Sequence, residues 1–368
     1  MSQFGTNLRL SIFGQSHSAA IGMSLDGLPA GESVDPEALA RFAARRAPSG
    51  RFSTQRQEAD TPEILSGLYQ GKTCGAPLAA IIRNTDCRSK DYEAIADKPR
   101  PSHADWPAEV KYRGFQDIRG GGAFSGRLTA PIVLAGGIAL QILERRGIRV
   151  AAHLLSLGEA HDRPFAEGGE SADVLTERLT RPIPVLSDEA ADAMSARIDA
   201  ARKEGDSVGG IIECMVEGMP VGIGGPLFEG LDGRLAQALF GIPGVKGVEM
   251  GLGFEFAFLR GSNANDGYQM KDGRVTLVSN RSGGIVGGMS TGAPILFKVA
   301  MKPTPSIAKV QQTVSLSAGT DAELAVHGRH DPTIAVRAVP VVEAVTALCL
   351  LDALLGSPAV LDSQGFSF

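Results

Sequence analysis

Metal-binding spacing is the first thing this sequence lacks. Its four cysteines, Cys74, Cys87, Cys214 and Cys349, form no Cys-x-x-Cys pair and have no histidine at zinc spacing. Reduced, packed thiols are therefore expected, and no metal. A basic excess is also missing: 36 Lys and Arg stand against 41 Asp and Glu, a formal charge of -5. That balance excludes the contiguous cationic surface a nucleic-acid partner requires. Long apolar runs are absent too. The stretches 131–143 and 339–355 are too short, or are interrupted by Glu343 and Asp352, to read as bilayer spans. The first residues carry no signal-peptide pattern, so no membrane partner and a cytoplasmic location are expected. No Gly-x-Gly-x-x-Gly follows a strand, which removes a Rossmann site. The segment 67–73, Gly-x-x-x-Gly-Lys-Thr, falls one residue short of a phosphate loop and reads as a strand-entry turn.

Glycine is abundant instead: 46 residues, against an aromatic content of 5%. Such a chain has many loops able to approach a ligand closely. Alternation predicts strands over 8–13, 21–26 and 211–216. Helices are predicted from Asp35-Pro36 through Arg46, from Ser187 to near Gly205, over 127–147 and over 339–356. Strands and helices alternate too irregularly for a doubly wound sheet, which points to an α+β fold. An internal repeat organises it. Asp26-Gly27-Leu28-Pro29-Ala30-Gly31 is echoed by Glu217-Gly218-Met219-Pro220-Val221-Gly222, and Gly75-Ala76-Pro77-Leu78 by Gly292-Ala293-Pro294-Ile295. Each half then runs through an arginine-bearing loop into an apolar helix. The reading is one catalytic domain over 1–356, built from halves at about 1–150 and 205–356 related by a pseudo-twofold, with a poorly ordered tail over 357–368.

Chemistry concentrates on loops. Arg45, Arg46, Arg51 and Arg56 crowd the end of the first helix, where mutual repulsion implies a bound anion. His17 in Gln15-Ser16-His17-Ser18 and His103 in Arg100-Pro101-Ser102-His103-Ala104-Asp105 each have a hydroxyl or carboxylate beside them, a setting that tunes an imidazole for proton transfer. His153, His161 and His327 receive no role.

These segments, with Arg45-Arg46-Ala47-Pro48, Thr54-Gln55-Arg56, the run 117–129, Gly283-Gly284-Ile285-Val286-Gly287-Gly288, Lys302-Pro303-Thr304 and Gly328-Arg329-His330-Asp331-Pro332, resemble the signatures of chorismate synthase, in that family's order and over nearly the whole chain. The resemblance implies a β-α-β sandwich with internal symmetry, a homotetramer, and a lyase that eliminates phosphate from 5-enolpyruvylshikimate 3-phosphate. It implies reduced FMN as cofactor, supplied by an external flavin reductase or by NADPH. By the same resemblance, His17 protonates the leaving phosphate beside Ser16, His103 protonates the flavin near N1, and Asp331 accepts a proton near N5. Arg46, Arg51, Arg127 and Arg337 would hold substrate anions. Ser125, Gly287, Lys302, Pro303, Thr304, Pro305, Ser306 and Arg329 would contact FMN, with Ser125 also counted as catalytic. The chain departs from the common pattern at Ala123, Phe124 and Leu128, and at Pro243-Gly244 before Val245-Lys246-Gly247. A flavin oxidoreductase, a non-catalytic anion binder and a phosphotransferase were the competing classes.

Overall fold

The computed structural model describes residues 2–47, 60–84, 97–171, 174–326 and 331–368. Segments with an apolar period of two form two five-stranded antiparallel sheets. The first contains β1 (Gln3–Phe4), β2 (Arg9–Phe13), β3 (Ala20–Asp26), β4 (Pro62–Ser66) and β5 (Leu78–Arg83), in the order β1-β2-β3-β5-β4. The second contains β6 (Arg149–Leu157), β7 (Ala160–His161), β8 (Gly210–Glu217), β9 (Val245–Met250) and β10 (Ile295–Met301), in the order β9-β10-β8-β6-β7. Reversed, the second order is β7-β6-β8-β10-β9, which matches the first except at one edge, where the outermost strand precedes its neighbour in the chain in the first half (β1) and follows it in the second (β7).

The helices used below are α1 (Pro36–Ala44), α2 (Asp105–Tyr112), α3 (Thr129–Glu144), α4 (Asp188–Lys203), α5 (Leu231–Phe240), α6 (Ala335–Leu355) and α7 (Pro358–Ser363). Asp35 caps α1 through the amides of Glu37 and Ala38, and Ser187 caps α4. Helix α3 lies on the first sheet, α6 lies on the second, and the two pack against each other between them. This is a sheet-helix-sheet sandwich. Gly136 allows the close approach, because a Cβ there would overlap Ala344.

The repeat survives down to single hydrogen bonds. Thr73 Oγ1 donates to the carbonyl of Pro29 at 2.6 Å and accepts from the amide of Glu32 at 2.9 Å. Ser290 Oγ donates to the carbonyl of Pro220 at 2.5 Å and accepts from the amide of Ile223 at 2.9 Å. The segment 67–73 is the hairpin Leu68–Tyr69/Lys72–Thr73, which turns at Gln70 (φ 51°) and Gly71 (φ 75°) with no helix following, so it cannot wrap a phosphate. Its counterpart is the hairpin Ile285–Val286/Met289–Ser290, turning at Gly287 (φ 60°) and Gly288 (φ 80°).

Two expectations need correction. Helix α6 begins at Ala335, four residues before the predicted start, and at 21 residues it is long and apolar enough to cross a membrane by length alone. Its most apolar window is 94% buried inside the protein, and the charges that interrupt it are structural. Glu343 takes both forks of Arg45, at 2.6 and 3.0 Å, and the Ala152 amide at 2.9 Å. Asp352 Oδ1 accepts the amides of Thr6, Asn7 and Leu8 at 3.0, 2.6 and 2.8 Å, while Oδ2 takes Arg234 at 2.5 Å. The tail is also ordered: Leu361 of α7 is buried, Phe366 packs on the core, and the Arg146 guanidinium lies 4.3 Å from the Phe368 ring centre.

Candidate active site

The loops that precede α3 and α6 carry the arginines, and the sandwich brings both to one cleft of about 710 Å³. From the first half, Ser16, Arg46, His103, Ser125 and Arg127 line it; from the second, Lys302, Thr304, Pro305, Ser306, Asp331 and Arg337 do so. The two halves are tied across it. Arg337 Nε donates to the carbonyl of Arg46 at 2.9 Å, and Lys302 Nζ donates to the carbonyl of Ser102. The hairpin strand Gln311–Ser315 holds the same loop from outside, through Thr313 to Pro99 O and Ser315 to Asp97, each at 2.5 Å.

Both histidine tautomers follow from their partners. Asp105 is held well below the usual carboxylate range: burial opposes ionisation, but hydrogen bonds from Arg100 and His103 outweigh it. Its Oδ1 lies 2.6 Å from His103 Nδ1, so an ionised Asp105 requires the proton on Nδ1 and leaves Nε2 as the nitrogen it does not occupy. Ser16 Oγ has a single proton, which it gives to the carbonyl of Arg119 at 3.0 Å. Toward His17 Nδ1, at 2.9 Å, Ser16 therefore accepts, which places a ring proton on Nδ1. The His17 ring itself is buried directly beneath Gly120, which lines the cleft.

Gly120 has φ 67°, and a Cβ there would stand 2.6 Å from Ser16 Oγ and 2.7 Å from His17 Cε1. Gly120→Ala should therefore displace both groups. We expect kcat to fall by about 10²-fold, an effect of the size that a misplacement of about 1 Å produces, with far-ultraviolet circular dichroism unchanged. Wild-type kcat in this variant would show that the ring position does not matter.

The clustered arginines find part of their counter-charge inside the protein. Asp60 bridges two of them: Oδ2 is 2.7 Å from Arg46 Nη1, and Oδ1 contacts Arg127 Nη1. Arg46 also reaches Thr129 Oγ1 at 3.1 Å, and Arg127 reaches Asn84 Oδ1 at 3.1 Å. Arg337 pairs with Asp331 at 2.7 Å. Arg45, grouped with them in the sequence, is taken by Glu343 and does not line the cleft.

At the other end, Lys246 and Lys302 line the cleft together, and Lys302 has its ammonium held below its usual range by burial and by the charge of Lys246. Thr304 Oγ1 is buried there with no hydrogen-bond partner among the described residues. Two cations and an orphaned hydroxyl suit an anionic group such as a phosphate.

Of the expected site residues, His17, Gly287 and Pro303 do not line the cleft. Gly287 sits on a hairpin that packs at the start of α5, whereas the end of α5 (Phe240) reaches the cleft, so the two are separated by roughly 15 Å of helix. Arg51, Arg56 and Arg329 lie outside the described residues. The departures Ala123, Phe124, Pro243 and Gly244 all form cleft wall, while Leu128 packs with Ile21, Ile82 and Ala130. Asp60, Asn84 and Lys246 were not anticipated, and Arg100 and Asp105 had been noted only as neighbours of His103. Adjacency within Arg100–Asp105 was the one available signal.

A family model described as chorismate synthase matches residues 8–355. A curated chorismate synthase of Thermococcus kodakarensis is 47% identical over 354 residues, covering 95% of this chain and 97% of that protein. Those of Methanosarcina mazei and Lancefieldella parvula are 46% and 44% identical; the alignments cover 96% and 97% of this chain and the same shares of theirs. A solved structure titled as that of a chorismate synthase aligns with a TM-score of 0.75 at 28% identity, covering 99% of this chain and 95% of the other.

Proposed function

This chain belongs to the chorismate synthase family, and from that premise we propose how its own residues divide the work. The activity is that of a carbon-oxygen lyase, the anti-1,4-elimination of phosphate from 5-enolpyruvylshikimate 3-phosphate to chorismate in the shikimate pathway. The family needs reduced flavin, which we assign as FMN. The observation that carries the residue assignment is the meeting of Ser16, His103 and Asp331 in one arginine-lined cleft between the halves.

The substrate carries one phosphate and two carboxylates, costly to desolvate unless paired. Arg46 and Arg127 bring two positive charges but share Asp60, so the trio offers a net single charge in fixed geometry. Asp331 similarly offsets Arg337. Cations from Arg51 and Arg329 would complete the neutralisation. His17 delivers a proton from Nε2 to the departing phosphate, and Ser16 fixes its ring. His103 presents its Nε2 proton toward the flavin, and Asp331 receives the proton that leaves the substrate ring.

Lys302, Thr304, Pro305 and Ser306 would hold the FMN phosphate side, joined by Lys246. Ser125 caps the short turn into α3 by accepting the Arg127 amide at 3.2 Å, which orients that guanidinium. When bound, the reduced flavin supplies an electron to the substrate and recovers it, so the reaction consumes no reductant. Reduced FMN would come from an external reductase or NADPH, in the cytoplasm. A homotetramer is supported by the near-complete exposure of Leu227, Phe228, Phe254 and Phe258. In that assembly Gly287 would act from a neighbouring copy.

An anaerobic assay with limiting reduced FMN tests the reading. Phosphate and chorismate should appear in equal amounts and far exceed the flavin added. Product capped at the amount of flavin, with the flavin oxidised one for one, would assign the protein to the oxidoreductases.

A further inference from the structure

Arg100 is buried, yet it is not among the groups that meet the substrate anions in the reading above. Its Nε and Nη2 are both engaged. Nε donates to Asp105 Oδ2 at 2.7 Å, and Nη2 to Asp105 Oδ1 at 2.8 Å. Nη2 also donates to the carbonyl of Gly120 at 2.7 Å, and the Arg100 amide to Asp105 Oδ2 at 2.9 Å. On one side, then, this guanidinium fixes the carboxylate that sets the His103 tautomer. On the other, it holds the glycine whose α-carbon rests on the His17 ring.

The loop around Gly120 binds the His17 segment by its neighbours as well. The carbonyl of Arg119 accepts from Ser16 Oγ, and the carbonyl of Gly122 accepts from the Ser16 amide at 3.1 Å. A continuous path of short bonds therefore runs from His103 through Asp105, Arg100 and Gly120 to Ser16 and His17. Nη2 also lies 3.2 Å from His103 Nδ1. Both atoms carry protons, so they approach because they share Oδ1 of Asp105, not because one binds the other.

We propose that Arg100 is a positioning residue that registers the two proton-handling imidazoles to each other, with Asp105 as its arm to His103 and the Gly120 carbonyl as its arm to His17. The proposal rests on the assignment of His17 and His103 above. A planar fork serves both arms at fixed angle, whereas a lysine ammonium is a point charge with three rotatable donors and cannot pair bidentately with Asp105 while holding the Gly120 carbonyl at that angle. The asymmetry of the arms is what distinguishes this role from simple support of the fold.

The test uses full-length Arg100→Lys and Asp105→Asn, with ¹⁵N-labelled histidine followed by NMR and kcat and KM measured anaerobically. Arg100→Lys should perturb the imidazole nitrogen shifts of both His17 and His103 and lower kcat at least tenfold, with KM for the enolpyruvyl substrate within threefold. Asp105→Asn should abolish the Nδ1-H signature of His103 while leaving the His17 shifts as in the wild type. Unchanged shifts at either histidine in Arg100→Lys would overturn the proposal, as would equal perturbation of both in Asp105→Asn. If Arg100→Lys fails to fold, the Asp105→Asn spectrum alone still decides on the separate arms. Should His17→Ala and His103→Ala both keep wild-type kcat, the assignment of the histidines fails, whereas the NMR coupling stands or falls independently of it.

Discussion

His103→Ala should lower kcat by about 10²–10⁴-fold, the range set by a lost proton-transfer group, and leave KM for the enolpyruvyl substrate within about threefold. The expectation follows from where the ring sits. His103 lines the cleft, but its Nδ1 is committed to Asp105 at 2.6 Å, so only Nε2 can serve a reactant. The anions, by contrast, face Arg46, Arg127 and Arg337, whose geometry does not pass through this imidazole. Arg100 keeps Asp105 in place when the ring is removed, which confines the change to the proton. Steady-state kinetics under anaerobic conditions separate the parameters. A large rise in KM at constant kcat would mean that His103 binds substrate and moves no proton.

Asp352→Ala should destabilise the fold by about 3–5 kcal/mol, the usual consequence of removing one partner from a buried charged network. The carboxylate sits in the last turn of the apolar α6, 2% exposed. It accepts three successive amides at the entry to β2 and pairs with Arg234 of α5, so one group joins the start of the first half to two helices of the second. Removal orphans three buried or half-buried N–H groups, each costing on the order of 1–3 kcal/mol unless water reaches it. Asp352→Asn keeps an acceptor for the amides and should lose less. Urea unfolding gives the measurement: a lower midpoint at constant slope, ordered wild type, Asn, Ala. Equal midpoints for Ala and wild type would show that the network does not hold the halves together.

Much of this architecture was legible because it is written in local chemistry. Ser187 and Asp35-Pro36 marked helix starts that the structure keeps, and paired Gly-Pro turns announced the repeat that Thr73 and Ser290 realise with equivalent hydrogen bonds. His17 and His103 could be singled out because their partners, Ser16 and Asp105, are near in sequence. Long-range pairing was not readable. Arg45 looked like its neighbour Arg46, yet its partner Glu343 is 298 positions away and takes it out of the site. Asp60 and Lys246 carry no local signature, since what makes them matter is which cation the fold sets beside them. Gly287 shows the converse: its motif matched, but it turns a hairpin fixed by the pairing of Ile285 with Ser290 and of Val286 with Met289, away from the cleft of its own chain. The tail after Gly356 read as poorly ordered because chain ends usually are, yet Leu361 and Phe366 supply apolar contacts that fix it.

The central claim is that one cleft between the halves takes both flavin and substrate, with His103 and Asp331 facing the reacting atoms and His17 reaching them from beneath Gly120. A crystal structure of the ternary complex with FMN and 5-enolpyruvylshikimate 3-phosphate measures this most directly. It should place the isoalloxazine ring between the His103 loop and the start of α6, the flavin phosphate against Lys302 and Thr304, and the substrate phosphate within hydrogen-bond reach of His17. Flavin bound outside the residues that line this cleft, or substrate phosphate held away from His17, would contradict it.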